Sequence, residues 1–247
     1  NIFKFDREGV KMRVYKMKAL FKLGIEDLTK NISVFVYVLF PLLFALLYGN
    51  LDTGMPENYI YSFCVLMNLA MIPVTLMGTV IAEEKEKNTL RTLMLNDVRA
   101  GEIMLAKALI CMLFVVTDNV IMYFILGLSL DKFVLYQLVG LYAGLSVIFF
   151  GAFVGIFARN QMSAGLMSMP FMFLFMAPFF IEMFHNKIAD RISSLLPTDA
   201  MMTLFESISG NKLGWSAVGM PVIVIGVWLV ISIVMYKLAF KKVGMDN

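Results

Sequence analysis

Six apolar stretches dominate the chain, at residues 32–49, 59–82, 104–129, 133–157, 163–184 and 215–238, with short polar segments between them. Each approaches or exceeds the ~20 residues that a helix needs to cross a hydrocarbon core. Backbone amides find no water there, so a helix that satisfies its own hydrogen bonds is the expected form. The pattern predicts an all-α membrane protein with six transmembrane helices. The segment before the first run, "VKMRVYKMKALFKLGIEDL", has a different rhythm. Val10, Val14, Met17, Phe21, Ile25 and Leu28 recur at helical spacing, with Lys11, Lys18 and Lys22 on one flank and Arg13 and Lys16 on the other. This suits an amphipathic helix lying in the membrane interface with its lysines reaching for headgroups; a soluble partner-binding helix is the rival reading. Two regions follow: residues 1–31 as an interfacial helix and 32–247 as a six-span domain.

Composition agrees with the pattern. Of 247 residues 60% are hydrophobic and 16% charged, against roughly a quarter charged in soluble domains. A soluble fold of this size lacks the charged residues to cover its surface. The chain opens on Asn1, so its true start is expected to be missing, and no signal peptide is visible. Cys64 and Cys111 fall inside predicted spans and read as small apolar fillers, with neither a disulfide framework nor a metal pair.

The net charge of +3 could suggest nucleic acid, but its distribution points to lipid. Lys and Arg number seventeen in residues 1–31, the loop 83–103 with Lys107, Arg159 and the tail, against Lys132, Lys187, Arg191 and Lys212 in the other loops. The positive-inside rule then predicts a multi-pass protein of the cell membrane with both termini cytoplasmic. Tyr59, Tyr61 and Trp215 are placed at the outer interface.

Inside the spans, Gly140, Gly144, Gly151 and Gly155 fall on one face of the fourth helix. Such a smooth face lets membrane helices approach closely. Met162, Met169, Met172, Met176 and Met183 line one side of the fifth, which reads either as ordinary packing or as a soft surface for greasy cargo. Asp118 lies near the middle of the third span, where a charge costs at least ~2.5–3.5 kcal/mol. It is a candidate for the translocation path or a proton site. Equally, it could be a structural polar hub with Thr117, Asn119 or Asn68. The single histidine, His185, excludes most metal and triad chemistry within one chain. No phosphate-binding G-x-x-x-x-G-K-[ST] loop occurs, so the chain is not expected to be an enzyme or to hydrolyse ATP.

One segment remains, "IAEEKEKNTLRTLMLNDVR", with eight of the 39 charged residues between two apolar runs. Asn88 can cap a short helix that places Leu90, Leu93 and Met94 on one face. A solvated connector is the bland reading. A free connector gains nothing from displaying leucines, so this helix is expected to dock onto a partner.

The run "EEKEKNTLRTLMLNDVRAGEIMLAKAL" resembles the signature loop of ABC type-2 transporter permeases, and "LLPTDAMMTLF" is similar to that family's proline-containing stretch before the last span. Asn88 stands where glycine is commoner, and Asp97-Val98 replaces a frequent proline. The resemblance implies that loop 83–102 couples the chain to a separate cytoplasmic ATPase subunit through Glu83, Glu84, Lys85, Glu86, Lys87, Asn88, Thr89, Leu90, Arg91, Leu93 and Met94. It implies that loop 185–214 forms short helices dipping into the outer leaflet, with Leu196, Pro197, Thr198 and Asp199 in an outer gate. It further implies a homodimer, giving two permeases with two ATPases. ATP and Mg would sit on the ATPase, with no cofactor on this chain. The function expected is that of a permease subunit of an ATP-driven exporter. Its cargo is expected to be hydrophobic or amphipathic, with toxin-like or antimicrobial peptide favoured and no nucleic acid. The alternatives are a proton-coupled secondary transporter using Asp118 and a non-transporting membrane anchor or immunity protein.

Overall fold

The computed structural model describes residues 18, 20–22, 24–26, 32–51, 54–87, 100–182, 184 and 186–243. Among them, regular structure is helical throughout. The elements are α1 (Ile32–Asn50), α2 (Glu57–Leu69), a π-helical segment (Ala70–Leu76), α3 (Met77–Glu86), α4 (Ala100–Ile125), α5 (Phe133–Phe157), α6 (Gln161–Glu182), α7 (Lys187–Ser193), α8 (Pro197–Ser209) and α9 (Trp215–Val243). Five helical stretches are long and apolar enough to cross a membrane: 57–86, 101–125, 130–157, 161–182 and 215–242, with a shorter apolar helix at 34–50. The protein is an all-α, multi-pass membrane protein.

Helix ends follow local chemistry. The third apolar run reads as helical to 129, yet α4 stops at Ile125. Gly127 adopts φ +66°, and the Leu128 amide reaches back to the Tyr123 carbonyl. This is a glycine-terminated helix end, which apolarity alone does not reveal. The long stretch 57–86 is interrupted by Pro73, which sits inside the π-helical segment. Proline removes an amide and crowds the carbonyl four residues back, and a widened turn relieves both.

The centre of the bundle is α5, which touches α3, α4, α6, α8, α9 and the π-helical segment. Its glycine face makes this possible. A Cβ on Gly151 would press into the carbonyl oxygens of Pro73 and Val74, and one on Gly155 would lie 2.6 Å from Ile81 Cβ. Gly151 and Gly155 thus face the π-helical segment and α3, while Gly140 and Gly144 face α4 and α2. In contrast, α1, α6 and α9 leave large apolar faces exposed, including Leu43, Phe173 and Val230, as helices bordered by lipid do. The described residues of the segment read as an interfacial helix rest on α4. Leu20 and Gly24 are buried while Lys18 and Lys22 are exposed, and Gly24 abuts Ile110 and Lys107. The rest of its predicted stripe, from Val10 to Met17, and Leu28 lie outside the described residues.

Candidate coupling segment and intramembrane polar cluster

Of the predicted coupling residues, Glu83 to Lys87 lie at the end of α3, whereas Asn88, Thr89, Leu90, Arg91, Leu93 and Met94 lie outside the described residues. Each of the five has a partner. Glu83 pairs with Lys87 one turn on. Glu84 Oε1 lies 2.6 Å from Lys107 Nζ on α4, with both side chains nearly buried. Breaking such a pair leaves a buried charge uncompensated, at a cost of ~3–5 kcal/mol. Lys85 donates to the carbonyl oxygens of Ile156 and Ala158 at the end of α5. Glu86 Oε2 accepts from the Gln161 amide that opens α6, at 3.1 Å. The dense charge of this stretch therefore fastens α3 to three neighbouring spans.

Deeper in the bundle, Asn68 Nδ2 donates to Asn119 Oδ1 at 2.8 Å and to the Val115 carbonyl at 3.1 Å, joining α2 to α4. Tyr61 donates to the Asn119 carbonyl, and Gln137 on α5 donates to the Tyr61 hydroxyl. Interhelical hydrogen bonds of this kind hold spans together where lipid supplies no hydrophobic drive. Gly140 belongs to the same arrangement, because a Cβ there would come 2.7 Å from Asn119 Nδ2. Asp118 is 1% exposed, and its Oδ2 has no hydrogen-bond partner. Thr117 turns to the Leu113 carbonyl on the exposed side. The predicted polar group is thus two things: an Asn68–Asn119 pair, and a separate, buried Asp118.

Tyr61 departs from its expected place at the interface. It is fully buried, with ring centroids 5.5 Å from Tyr123, 5.4 Å from Tyr136 and 5.4 Å from Phe205. Tyr59 remains near the surface, donating to Glu182. Gln137 and Tyr136 were absent from the sequence-based candidates, though a glutamine in an apolar span was the signal available for the first.

At the end opposite the charged loop, the short α7 packs on α6, and after the turn 194–196 α8 packs against α2, α5, α6 and α9. The Leu195 carbonyl accepts from Trp228 Nε1 at 2.6 Å, and Trp228 is thirteen residues into α9, about 20 Å along it. Leu196, Pro197 and Thr198 are buried there. Asp199 accepts from the Ser193 hydroxyl. Asp199 and Glu206 share a pocket of about 210 Å³ with Glu182 and Asp190. Burial, then the neighbouring carboxylates, push both Asp199 and Glu206 above the ordinary carboxylate range.

A second cavity, of about 450 Å³, is largely apolar and open on one side. Met162, Met169, Met172 and Leu166 of α6 face Thr75, Thr79 and Tyr37 across it. Three methionines of the predicted stripe therefore line a cavity, Met176 packs against the core, and Met183 lies outside the described residues, as does His185.

The protein is thus a polytopic helical membrane protein with an open apolar groove beside its spans and a charged segment tied to three of them. The family model described as "ABC-2 family transporter protein" matches residues 53–236, so the chain belongs to the ABC-2 transporter family. It is an ABC transporter permease, a kind of subunit that works with an ABC ATPase. No curated protein matches the chain.

Proposed function

We propose that this chain is the membrane subunit of an ATP-driven exporter that moves a hydrophobic or amphipathic cargo, with peptide favoured, out of the cell. The observation that carries this reading is the cavity of about 450 Å³ lined by Met162, Met169, Met172 and Leu166. Methionine side chains are unbranched and polarisable, so they repack around irregular apolar groups. Thr75, Thr79 and Tyr37 add hydrogen-bonding groups for the polar part of an amphipathic molecule.

On this reading the chain does no covalent chemistry, and MgATP binds a separate cytoplasmic ATPase. Two copies of the chain assemble with two ATPases in the cell membrane, with both termini cytoplasmic. The segment carrying Leu90, Leu93 and Met94 seats in the ATPase. The segment of α7 and α8, with Leu196, Pro197, Thr198 and Asp199 where α8 begins, forms the outer gate.

Leu93→Asp tests the assignment by placing a charge on the docking face. The ATPase is expected to be lost on co-purification while the permease stays in the membrane. Unchanged co-purification would sink the coupling role of this segment.

A second reading, proton-coupled transport through Asp118, draws on the burial of that carboxyl and its unpartnered Oδ2.

A further inference from the structure

The end of α3 meets the turn between α5 and α6 with two adjacent residues of opposite charge. Lys85 donates to the last carbonyls of α5, and Glu86 accepts from the first amide of α6. Helix ends expose unsatisfied groups, negative at the C-terminus and positive at the N-terminus. Each side chain therefore faces the pole that attracts it, and exchanging the two charges would repel both. The turn they grip is itself fixed. Ser163 Oγ accepts from the Arg159 and Asn160 amides at 3.0 and 3.1 Å, and Asn160 Oδ1 accepts from the Ser163 amide at 2.8 Å. Further into the membrane the same three helices are in backbone-close contact. A Cβ on Gly78 of α3 would lie 3.1 Å from the Gly151 carbonyl of α5 and 3.2 Å from Ser168 Oγ of α6.

We infer that Lys85 and Glu86 act as a clamp that locks α3 to the α5–α6 turn, so that the three helices move as one body when the loop following α3 is displaced. The inference rests on the proposal that an ATPase pushes that loop. Without the clamp, a push would bend α3 locally and leave α5 and α6, which carries the cavity methionines, behind. Lys85 and Glu86 are then positioning residues, acting on transport through the helices they hold.

Two measurements test the clamp. In the purified permease alone, amide hydrogen exchange across residues 156–163 is expected to quicken about tenfold in the Lys85→Met/Glu86→Gln double variant, as loss of a charge-assisted hydrogen bond implies. Lys85→Arg, which keeps the charge, should restore protection when Glu86 is retained. Unchanged exchange in the double variant overturns the clamp, whatever the ATPase does. In the complex with its ATPase, spin labels at positions 87 and 159 should give one distance in both the nucleotide-free and the ATP–vanadate-trapped states. In the double variant that distance should shift on trapping. A nucleotide-dependent distance in the unmodified background, or an invariant one in the double variant, overturns rigid-body motion. Loss of ATPase binding from the unmodified chain would count against the coupling proposal alone, with the exchange result still deciding the clamp.

Discussion

A carboxyl group held in the middle of a membrane helix must be paired, hydrated or neutral, and Asp118 shows no pairing at Oδ2. The lysine nearest to it along α4 is Lys107, eleven residues earlier and so about 16 Å away, where it is bound to Glu84. Among the described residues no ion pair accounts for Asp118, and two roles compete. Asp118→Asn keeps size and hydrogen-bonding capacity while removing the titratable proton. ATP-driven export is expected to survive this change, with slightly better insertion because the intramembrane charge penalty disappears. Loss of export in a properly assembled variant, with wild-type export collapsing under an uncoupler at constant ATP, would replace the ATP-driven mechanism by a proton-driven one.

At the scale of elements, the decisive contact is between a helix widened by proline and a helix smoothed by glycine. The glycine face of α5 was legible in the sequence because four glycines share one side of an apolar run. Its partner was not, since nothing in the sequence says that the Pro73 and Val74 carbonyls of the widened segment will point at Gly151. The same limit hid the burial of Tyr61: an aromatic near a span end ordinarily sits at the interface, and here Tyr123 of α4, Tyr136 of α5 and Phe205 of α8 together cover it. The positions of the spans were legible to within a few residues because hydropathy and bilayer thickness dictate them. The charged run stood out between two apolar stretches, whereas the partners of Lys85 and Glu86 did not, being main-chain atoms of distant helices. Gly151→Ala tests the packing directly. The added methyl meets main-chain oxygens that cannot swing aside, so a loss of about 1–3 kcal/mol is expected, read as a lower melting temperature in detergent. Gly165→Ala is the control, with its nearest neighbour 4.0 Å from the new Cβ, and should be nearly silent. Equal melting of the two variants would remove the close contact from the account.

For the whole molecule, the helices alternate between two ends, and the basic residues divide with them. Lys85, Lys107 and Arg159 share the end that holds the charged loop. Lys132, Lys187, Arg191 and Lys212 mark the other, where Lys132 donates to the Ser209 carbonyl at the end of α8. Cytoplasmic loops retain excess Lys and Arg because such segments resist translocation. On the proposed orientation that bias faces the charged loop to the cytoplasm, where an ATPase can reach the segment after α3. Single cysteines at Lys212 and Arg159, both on exposed turns, report it. The native Cys64 and Cys111 are fully buried and give little background. An impermeant maleimide added to intact cells is expected to label position 212, and to label 159 only once the membrane is opened. Labelling of 159 from outside would place the charged loop beyond reach of a cytoplasmic ATPase and overturn the direction of transport together with the coupling scheme.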